Sequence, residues 1–390
     1  MGKPEAVIVG VADLALRDGK VTAPMSVLQA QALCARDALA DAGIAMREVD
    51  GLLTAGMWGV PGPGQLATVT LSEYLGIAPR FVDGTNIGGS AFEAHVAHAA
   101  TALEAGRCEV ALVTYGSLQR SEASRNLAGR PSVLTMQYET PWGMPTPVGG
   151  YALAAMRHMH EHGTTSQQLA EIAVATRQWA ALNPAATMRG PLSIDDVLAS
   201  PMISDPLHLL DACLVTDGGG AVVMTTAEHA RANGHRKPVH VRGYGEAHTH
   251  WTIAAMPDLA RLTAAEIAGR EAFAMAGVRP EDIDVVELYD SFTITVLLTL
   301  EALGFCKRGE GGAFVANQRT APGGAFPMNT NGGGLSYAHP GMYGIFLLIE
   351  AVRQLRGECG PRQVQDAATA LVHGTGGTLS SGATCILSTH

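Results

Sequence analysis

Charged side chains are scarce in this sequence: Asp, Glu, Lys and Arg make up 16% of its 390 residues, against about 25% in an average soluble domain. Basic residues are the scarcer kind, with 26 Lys and Arg against 36 Asp and Glu, and the formal net charge is −10. Nucleic acids and anionic membrane surfaces both attract clusters of Lys and Arg. The composition therefore argues against either of them as the main partner.

The sequence also has few cysteines and no long apolar run. The six cysteines lie far apart with no CxxC pair, a pattern that fits reduced thiols better than a disulfide framework or a zinc site. No stretch approaches the roughly 20 apolar residues of a membrane span, and the first 20 residues lack a signal peptide's apolar core and cleavage site. We therefore expect a soluble, cytoplasmic protein without a metal site, whose reduced thiols are Cys34, Cys108, Cys213, Cys306, Cys359 and Cys385.

What the sequence does have is apolar surface, since 47% of its residues are hydrophobic. This content excludes a disordered chain. So much apolar and so little charged surface must be buried in a large core, in a subunit interface or in both. We expect at least a homodimer.

The chain contains an internal repeat. Residues 37–52 (DALADAGIAMREVDGL) and 271–286 (EAFAMAGVRPEDIDVV), offset by 234 positions, each read as an Ala-rich helix ending in Ala-Gly, a short acidic turn and a β-run. A β-like segment precedes each helix. Further on, a Thr-Asn-x-Gly-Gly turn enters an apolar helix in each half and leads to a buried strand. Three matching segments in the same order predict two similar α/β halves with parallel-rich sheets.

A different kind of sequence separates the halves. Residues 119–203, called the inserted segment below, hold long polar runs, a Pro/Trp-rich turn and two helical stretches. The second helix opens with a capping-box pattern, Thr165 and Gln168. We predict residues 1–118 with 204–236 as the first half, 119–203 as a lid, and 237–390 as the second half.

The order of these segments, with SDPLHLLDACLVTDGGGAVVMT at 204–225 and NTNGGGLSYAHPG at 329–341, resembles the thiolase superfamily, in particular its sterol-carrier-protein-type branch. The resemblance covers essentially the whole chain. It implies two five-stranded α/β halves in a five-layered α-β-α-β-α core, and an inserted loop domain that holds coenzyme A. It also implies a dimer or tetramer.

The two catalytic cysteines of that family are missing. Asn86, in VDGTNIGGSAF, stands where the first is expected, and the glycine turn HGTGGTLSSG at 373–382 has no thiol where the second belongs. An amide is no substitute for a nucleophilic thiolate. Claisen condensation through an acyl-cysteine is therefore not expected, and Cys385, the nearest cysteine, is predicted to lie in the core.

Other parts of the family's site are kept or replaced. His339, in SYAHPGMYG, matches the family's Gly-His-Pro histidine, although Ala338 replaces the glycine. Tyr289, in Tyr-Asp-Ser-Phe, stands where the sterol-carrier branch has a histidine, and Tyr343 follows His339 closely. Alone, either tyrosine would be a packed aromatic side chain more often than a catalytic one. Together they predict a different acid/base pair.

This combination resembles the thiolase-like aldolases of bacterial steroid side-chain degradation. The resemblance implies retro-aldol cleavage of a β-hydroxyacyl-CoA to a ketone and a short acyl-CoA, with no cofactor beyond the coenzyme A of the substrate. Tyr289 and Tyr343 would be base and proton donor, in either order, and the base would titrate well below the ordinary tyrosine pKa of about 10. His339 and the 374–377 backbone, including Gly376 and Gly377, would stabilise the enolate, and Asn86 would bind the thioester or the hydroxyl.

Three further expectations accompany this interpretation. The resembled aldolases work with an OB-fold, zinc-ribbon partner attached to a hydratase, so we expect such a partner. One alternative is a sterol-carrier-type thiolase or acyltransferase that uses another thiol, which iodoacetamide would inactivate. The other is a non-catalytic acyl-CoA-binding subunit, which would bind without turnover.

Overall fold

A computed structural model describes residues 5–56, 66–122, 133–235 and 237–390 of the chain. Within these ranges the strands are β1 (Ala6–Asp13), β2 (Leu16–Arg17), β3 (Lys20–Val21), β4 (Gly51–Leu53), β5 (Phe81–Asp83), β6 (Ala111–Ser117), β7 (Met202–Ser204), β8 (Leu207–His208), β9 (Gly218–Thr226), β10 (Val239–His248), β11 (Val285–Leu288), β12 (Thr369–Gly376) and β13 (Ser381–Ser388).

The α-helices of the same ranges alternate with these strands in both halves and cluster in the inserted segment. They are α1 (Val27–Ala42), α2 (Ala67–Leu75), α3 (Ala91–Glu104), α4 (Val133–Tyr138), α5 (Val148–His162), α6 (Ser166–Leu182), α7 (Ile194–Ala199), α8 (Ala227–Ala232), α9 (Thr263–Ala276), α10 (Thr293–Ala302), α11 (Gly311–Val315) and α12 (Gly344–Arg356).

Nine strands form one mixed sheet in the order β11-β12-β13-β10-β1-β9-β6-β4-β5. The strands of the second half lie on one side and those of the first half on the other. The halves join where β1 pairs antiparallel with β10, Val7 with His240 and Ile8 with Val239. Because each half repeats the same strand order outward from this seam, the sheet preserves the duplication predicted from the sequence.

The second half has four strands instead of the five expected. An isolated parallel bridge between Val286 and Met328 stands where a fifth strand would pair with β11. The chain just before this bridge, APGGAFP at 321–327, bends at Gly323, whose φ is 80°. Pro327 has no backbone N–H to donate to a strand neighbour. These residues limit the extended segment to a single bridge.

Two buried helices lie between the sheet regions of the two halves. Both α3 and α12 contact strands of the first and of the second half, whereas α1 packs on β1, β6 and β9 and α9 packs on β10 and β13. Helices buried on nearly every face belong inside a protein, and almost every residue of α3 and α12 is buried. The layers are therefore helix, sheet, helix, sheet, helix, as predicted.

The repeated segments adopt the same local structure. Helix α1 ends at Gly43 and α9 at Gly277, each with φ of 68°, the left-handed conformation that glycine adopts without a steric cost. A short 3₁₀ turn follows in each half, Met46–Glu48 and Pro280–Asp282, before β4 and β11 begin. The predicted helix ends and acidic turns are confirmed.

The two predicted helices of the inserted segment are α5 and α6. The capping box is confirmed, because the Thr165 side chain accepts from the backbone of Gln168 and the Gln168 side chain accepts from the backbone of Thr165. Most of the polar run QRSEASRNLAGRPS, residues 123–132, lies outside the described residues. In the ranges described, no helix is long and apolar enough to cross a membrane.

Candidate active site

The turn that carries Asn86 lies at the start of α3. The Asn86 side chain is exposed, and its Oδ1 accepts the backbone N–H of Gly88 at 3.2 Å. With Oδ1 held by this bond, the NH₂ group is the free end of the amide. The NH₂ group makes no hydrogen bond to any described residue. Gly88 has φ of 75°, a conformation that disfavours other residues. The position of the family's nucleophile therefore presents a free amide donor.

Tyr289 follows β11 and packs directly on this turn. A Cβ added to Gly89 would lie 2.1 Å from Cε2 of Tyr289, so only glycine leaves room for the phenol ring. The Tyr289 hydroxyl lies 2.9 Å from Nε2 of His339 and 3.4 Å from the Gly341 carbonyl oxygen, so the shorter contact to His339 and the longer one to Gly341 share a single proton. The glycine turn of one half thus supports the tyrosine of the other.

Tyr343 stands immediately before α12 and is fully buried. Its hydroxyl donates to Oδ1 of Asn331 at 2.9 Å. Its ring is nearly perpendicular to that of Tyr289, with the centroids 5.9 Å apart, and is stacked near that of His339 at 6.2 Å. The two tyrosines and the histidine predicted from the sequence are therefore in one cluster.

The glycine turn at the end of β12 closes the same cluster. A Cβ on Gly376 would lie 1.7 Å from the carbonyl oxygen of Ile87, and one on Gly88 would lie 2.7 Å from the nitrogen of Gly377. The backbones of the two turns are therefore in direct contact, and Gly377 is exposed. All six residues singled out in the sequence meet in one place, and their chemical roles stay predictions.

The electrostatics of the tyrosines contradict one expectation. Burial raises the pKa of both Tyr289 and Tyr343 well above the ordinary value, and the Asp290 carboxylate raises that of Tyr343 further. The sequence led us to expect a base with a pKa well below 10, which is wrong for this state of the protein. A phenolate in this interior would lose its hydration without gaining a cation, so both hydroxyls keep their protons.

His339 is neutral for a related reason. Burial lowers its pKa to about 4, because an imidazolium would be poorly solvated there. Its backbone N–H donates to Oγ1 of Thr216 at 3.0 Å, and its carbonyl accepts from the N–H of Thr216 at 3.2 Å. A neutral imidazole held in this way has one nitrogen that accepts a proton, and Nε2 faces the Tyr289 hydroxyl.

Asp290 is a site residue that the sequence did not single out. Its carboxylate accepts from the backbone N–H groups of Gly334 at 2.6 Å and Leu335 at 3.1 Å. Burial nevertheless raises its pKa to about 6. Because Asp290 directly follows Tyr289, these bonds connect the segment that carries Tyr289 to the turn at 333–337. The sequence did contain a sign of this role, since Asp290 is an acidic residue directly beside Tyr289, which stands on a family motif.

Other residues of the site come from distant parts of the chain. The Tyr151 hydroxyl, from α5, donates to the carbonyl of Gly377 at 3.1 Å, and its ring packs on Phe292 with the centroids 4.4 Å apart. The Tyr115 hydroxyl donates to the Pro340 carbonyl at 2.6 Å and accepts from the Met342 N–H at 3.2 Å. It thereby fixes the loop between His339 and Tyr343. No sequence pattern marked either tyrosine.

The cysteines do not form a nucleophile in the described structure. Cys385 is fully buried in β13, as predicted. Cys213 lies close to the segment that carries Tyr289, since its backbone N–H donates to the Ser291 carbonyl at 2.9 Å. Burial raises the pKa of the Cys213 thiol far above its ordinary value, so it is a poor source of thiolate.

An apolar cleft of about 570 Å³ opens beside the glycine turn. A Cβ on Gly150 of α5 would lie 2.5 Å from the Thr378 methyl and 3.4 Å from Ile253. Ile253 also lines the cleft, so Gly150 alone lies between the wall of the cleft and the 374–378 turn at this point. The remaining wall includes Trp142, Met144, Leu153, Met156 and Leu259.

We find no metal-binding group of three or more His, Cys, Asp or Glu side chains within residues 5–56, 66–122, 133–235 and 237–390. What the site offers chemically is a set of hydrogen bonds and protons. It contains two protonated phenols, a neutral imidazole that accepts a proton, and an exposed amide donor.

Comparisons with known proteins agree with this fold. The profile of the thiolase C-terminal domain-like family matches residues 245–389. The chain is 35% identical over 368 residues to the 17-hydroxy-3-oxo-4-pregnene-20-carboxyl-CoA lyase of Mycobacterium tuberculosis (91% of this chain, 92% of that protein). It is 33% identical to the steroid side-chain-cleaving aldolase of Thermomonospora curvata (88% and 89%). A solved structure described as an Ltp2-ChsH2(DUF35) aldolase superposes with a TM-score of 0.86, at 31% identity over 99% of this chain and 98% of that one.

Proposed function

Because the chain belongs to the thiolase superfamily, in the group that contains the steroid side-chain-cleaving aldolases, we propose that it catalyses retro-aldol cleavage. The substrate is a β-hydroxyacyl-CoA, with a steroid side-chain thioester the first to test. The products are a ketone and a short acyl-CoA such as propionyl-CoA. One observation carries the proposal: both thiolase cysteine positions lack a thiol, while the buried Tyr289 packs on the first of these turns and forms one cluster with the buried Tyr343 and the neutral His339.

The first step is removal of the proton from the substrate's β-hydroxyl. Tyr289 is the base in this proposal, although its own pKa is high. As the Tyr289 oxygen takes the substrate proton, its own proton passes to Nε2 of His339, 2.9 Å away. The pair therefore never needs a free phenolate. Because burial keeps His339 neutral, one of its ring nitrogens is unprotonated and can take the proton for the length of the step.

Loss of that proton drives the second step. The electrons of the O–H bond form the ketone's C=O bond, the Cα–Cβ bond breaks, and its electrons move to the thioester oxygen as an enolate. Hydrogen-bond donors at that oxygen lower the barrier. We assign this role to the exposed amide of Asn86 and to the backbone of the Gly376–Gly377 turn. No covalent enzyme intermediate forms, so the step does not require cysteine.

The enolate then takes a proton at Cα. Tyr343 is the donor in this proposal. Its hydroxyl holds its proton in a bond to Asn331, and Asp290 disfavours the phenolate. Such a proton is released only to a stronger base, which an enolate is. After the products leave, His339 gives up the proton it took and Tyr343 regains the one it lost, so protons and electrons balance over the cycle.

The inserted segment supplies the substrate site. The cleft beside Gly150 is largely apolar and of the size typical of small-molecule sites. We propose that the acyl-CoA lies between this segment and the second half, with the thioester at the Asn86 and Gly377 turns. Coenzyme A enters as part of the substrate, and no other cofactor takes part.

The proposal includes partners and location. We propose a cytoplasmic homodimer that associates with an OB-fold, zinc-ribbon protein attached to a hydratase. The two-component name of the matched aldolase structure supports this. The hydratase would form the β-hydroxyacyl-CoA by adding water to an unsaturated thioester.

A thiolase activity is the second candidate. The chain is 38% identical over 262 residues to the acetyl-CoA acetyltransferase of Methanothermobacter thermautotrophicus, which is 66% of this chain and 68% of that protein. Against it stand Asn86 and the thiol-free turn at 373–382. Acetoacetyl-CoA with free coenzyme A is the matching substrate pair.

Mass analysis of products separates the candidates. The protein, alone and with a DUF35-type partner, is mixed with a panel of β-hydroxyacyl-CoAs that differ in the β-substituent. We expect a ketone and a shorter acyl-CoA in equal amounts from at least one tertiary alcohol. Acetyl-CoA from acetoacetyl-CoA and free coenzyme A would favour the thiolase. Tight acyl-CoA binding with no products would favour a non-catalytic subunit.

A further inference from the structure

The inserted segment reaches the acid/base site by a second route, separate from the cleft. Asn183, at the end of α6, donates from Nδ2 to the backbone carbonyl of Asn331 at 2.8 Å. Asn331 is the residue whose Oδ1 accepts the Tyr343 hydroxyl. Asn331 therefore links the inserted segment to a tyrosine of the second half, since its backbone binds Asn183 and its side chain binds Tyr343.

Asn331 is held so that it has one orientation. Its Oδ1 accepts from the backbone N–H of Gly333 at 2.8 Å as well as from Tyr343. Its neighbour Thr330 is fixed by buried carboxyl groups, with bonds of 2.8 Å to Glu287 and 2.9 Å to Glu350. All these groups are buried. A side chain fixed on both sides gives the Tyr343 proton a defined direction.

Asn331 belongs to the tripeptide 329–331, which also holds the end of β11, the strand that leads to Tyr289. Oδ1 of Asn329 accepts the backbone N–H of Leu288, directly before Tyr289, at 2.8 Å. Residues 329–331 thus set the separation of the two tyrosines. A displacement of about 1 Å in such a group can cost up to about 100-fold in rate.

We propose that Asn331 and Asn183 are positioning residues for Tyr343, and that the inserted segment, through Asn183, takes part in aligning the proton donor. The observation is that Asn183 and Tyr343 both hydrogen-bond to Asn331, one to its backbone carbonyl and the other to its side chain, with all three residues buried. The inference rests on the proposed function, since it assigns Tyr343 the protonation step. In this account the inserted segment is part of the catalytic frame as well as a lid.

The test compares two variants of Asn183 with a matched control. Asn183→Ala removes the donor to Asn331 and also the Oδ1 acceptor that binds the Ala185 N–H at 3.1 Å. Asn183→Asp keeps that acceptor and the size but has no NH₂ group. The control is Gln178→Ala, on the same helix, which removes an exposed bond of 2.9 Å to Gln318 of the second half.

Two rates are measured for each variant, with thermal unfolding as a check on the fold. The first is ketone release. The second is exchange of the Cα hydrogens of propionyl-CoA for deuterium, which reports proton transfer without bond cleavage. We expect both Asn183 variants to slow both rates about 10-fold with KM changed less than about 3-fold, and Gln178→Ala to match the wild type. Asn331→Ala, alone and combined with Tyr343→Phe, completes a cycle in which the double variant is no slower than Tyr343→Phe.

The outcomes separate this inference from the proposed function. Wild-type rates in a folded Asn183→Asp protein would show that only the helix end matters and would overturn the inference. Additive losses in the Asn331 and Tyr343 cycle would overturn it as well. If the wild-type protein releases no ketone from any substrate, the proposed function itself fails. Exchange measured on propionyl-CoA then still decides whether Asn183 acts on Tyr343.

Discussion

The Tyr289 hydroxyl lies 2.9 Å from Nε2 of His339, and the two rings meet at 87°. Tyr289 comes from the turn after β11 and His339 from the loop before α12, 50 residues apart in sequence. Because burial keeps the imidazole neutral and the phenol protonated, the pair is suited to pass a proton from one to the other. In the proposed mechanism, this relay is what allows a tyrosine with a raised pKa to act as a base.

Removing either phenol hydroxyl is expected to stop turnover. Tyr289→Phe and Tyr343→Phe keep the ring packing and each delete one proton-transfer group. We expect kcat for ketone release to fall about 100- to 10,000-fold, with acyl-CoA affinity and thermal stability near wild type. The double variant is expected to be little slower than the slower single variant, because groups that act as one unit are not additive. Steady-state kinetics and calorimetry measure both effects.

Tyr244→Phe is the matched control for these variants. Its hydroxyl bonds to Thr101 at 3.1 Å on an exposed surface, away from the site, so turnover should be unchanged. If Tyr289→Phe and Tyr343→Phe also turn over normally, both tyrosines are packing residues. Their loss would then cost only about 1 kcal/mol of stability each.

Restoring a cysteine at the first family position is not expected to restore a thiolase. Asn86→Cys introduces one thiol at the turn before α3, but the turn at 373–382 still lacks the second. We expect acetoacetyl-CoA thiolysis by this variant to stay near background, and retro-aldol turnover to fall as an enolate donor is lost. Strong thiolysis by the single variant would mean that the rest of the Claisen machinery is intact.

Glu93 makes the stability of the protein depend on pH. It lies in α3, fully buried, and neither carboxylate oxygen has a hydrogen-bond partner among the described residues. Burial raises its pKa from 4.5 to about 8. Between these values the unfolded chain has released the proton that the folded protein keeps, so the free energy of unfolding falls as pH rises toward 8.

Glu93→Gln keeps the shape and removes this titration. We expect it to unfold at a higher denaturant concentration than wild type at pH 8, by a few kcal/mol in free energy, since each unit of pKa shift corresponds to about 1.4 kcal/mol. The difference should shrink toward pH 5. Urea unfolding from pH 5 to 9 measures it, with the exposed Glu73→Gln as control. Equal differences at all pH values would contradict a protonated Glu93.

The outer edge of β5 is the expected dimer contact. Among the described residues, β5 is the last strand of the nine-stranded sheet, and Val82 on it is 47% exposed. An unpaired apolar edge favours pairing with another chain. We expect wild type to sediment as a dimer at micromolar concentration, and Val82→Lys to shift it toward monomer, whereas Thr101→Lys on α3 serves as a control. A fully active wild-type monomer would contradict the proposed homodimer.

Much of the fold could be predicted from the sequence because the sequence contains an internal repeat. The Ala-Gly helix ends at Gly43 and Gly277, the turns after them and the buried helices α3 and α12 recur in both halves. Chance rarely repeats such an order. The missing fifth strand of the second half was not readable from the resemblance, since it depends on how far the 321–327 turn extends before Met328.

The site was readable only in part. Tyr289, His339 and Asn86 stand on family motifs, so their positions indicated a common site. The pKa of the tyrosines depends on burial by both halves, which no local pattern gives, and the expectation of a lowered value was wrong. Asn183 and Tyr151, both in the inserted segment, bond to residues of the site that are 148 and 226 positions away in sequence. Spacing in the sequence does not indicate contacts over such separations.

The central claim is a retro-aldol reaction without an acyl-enzyme, and one quenched mass measurement tests it. The protein reacts with its β-hydroxyacyl-CoA in D₂O, is quenched in acid during turnover, and protein and products are weighed together. We predict an unchanged protein mass and a short acyl-CoA that carries at least one deuterium at Cα, the first delivered by the exchanged hydroxyl of Tyr343. A protein mass increased by one acyl group, or an acyl-CoA product without deuterium, would contradict the account.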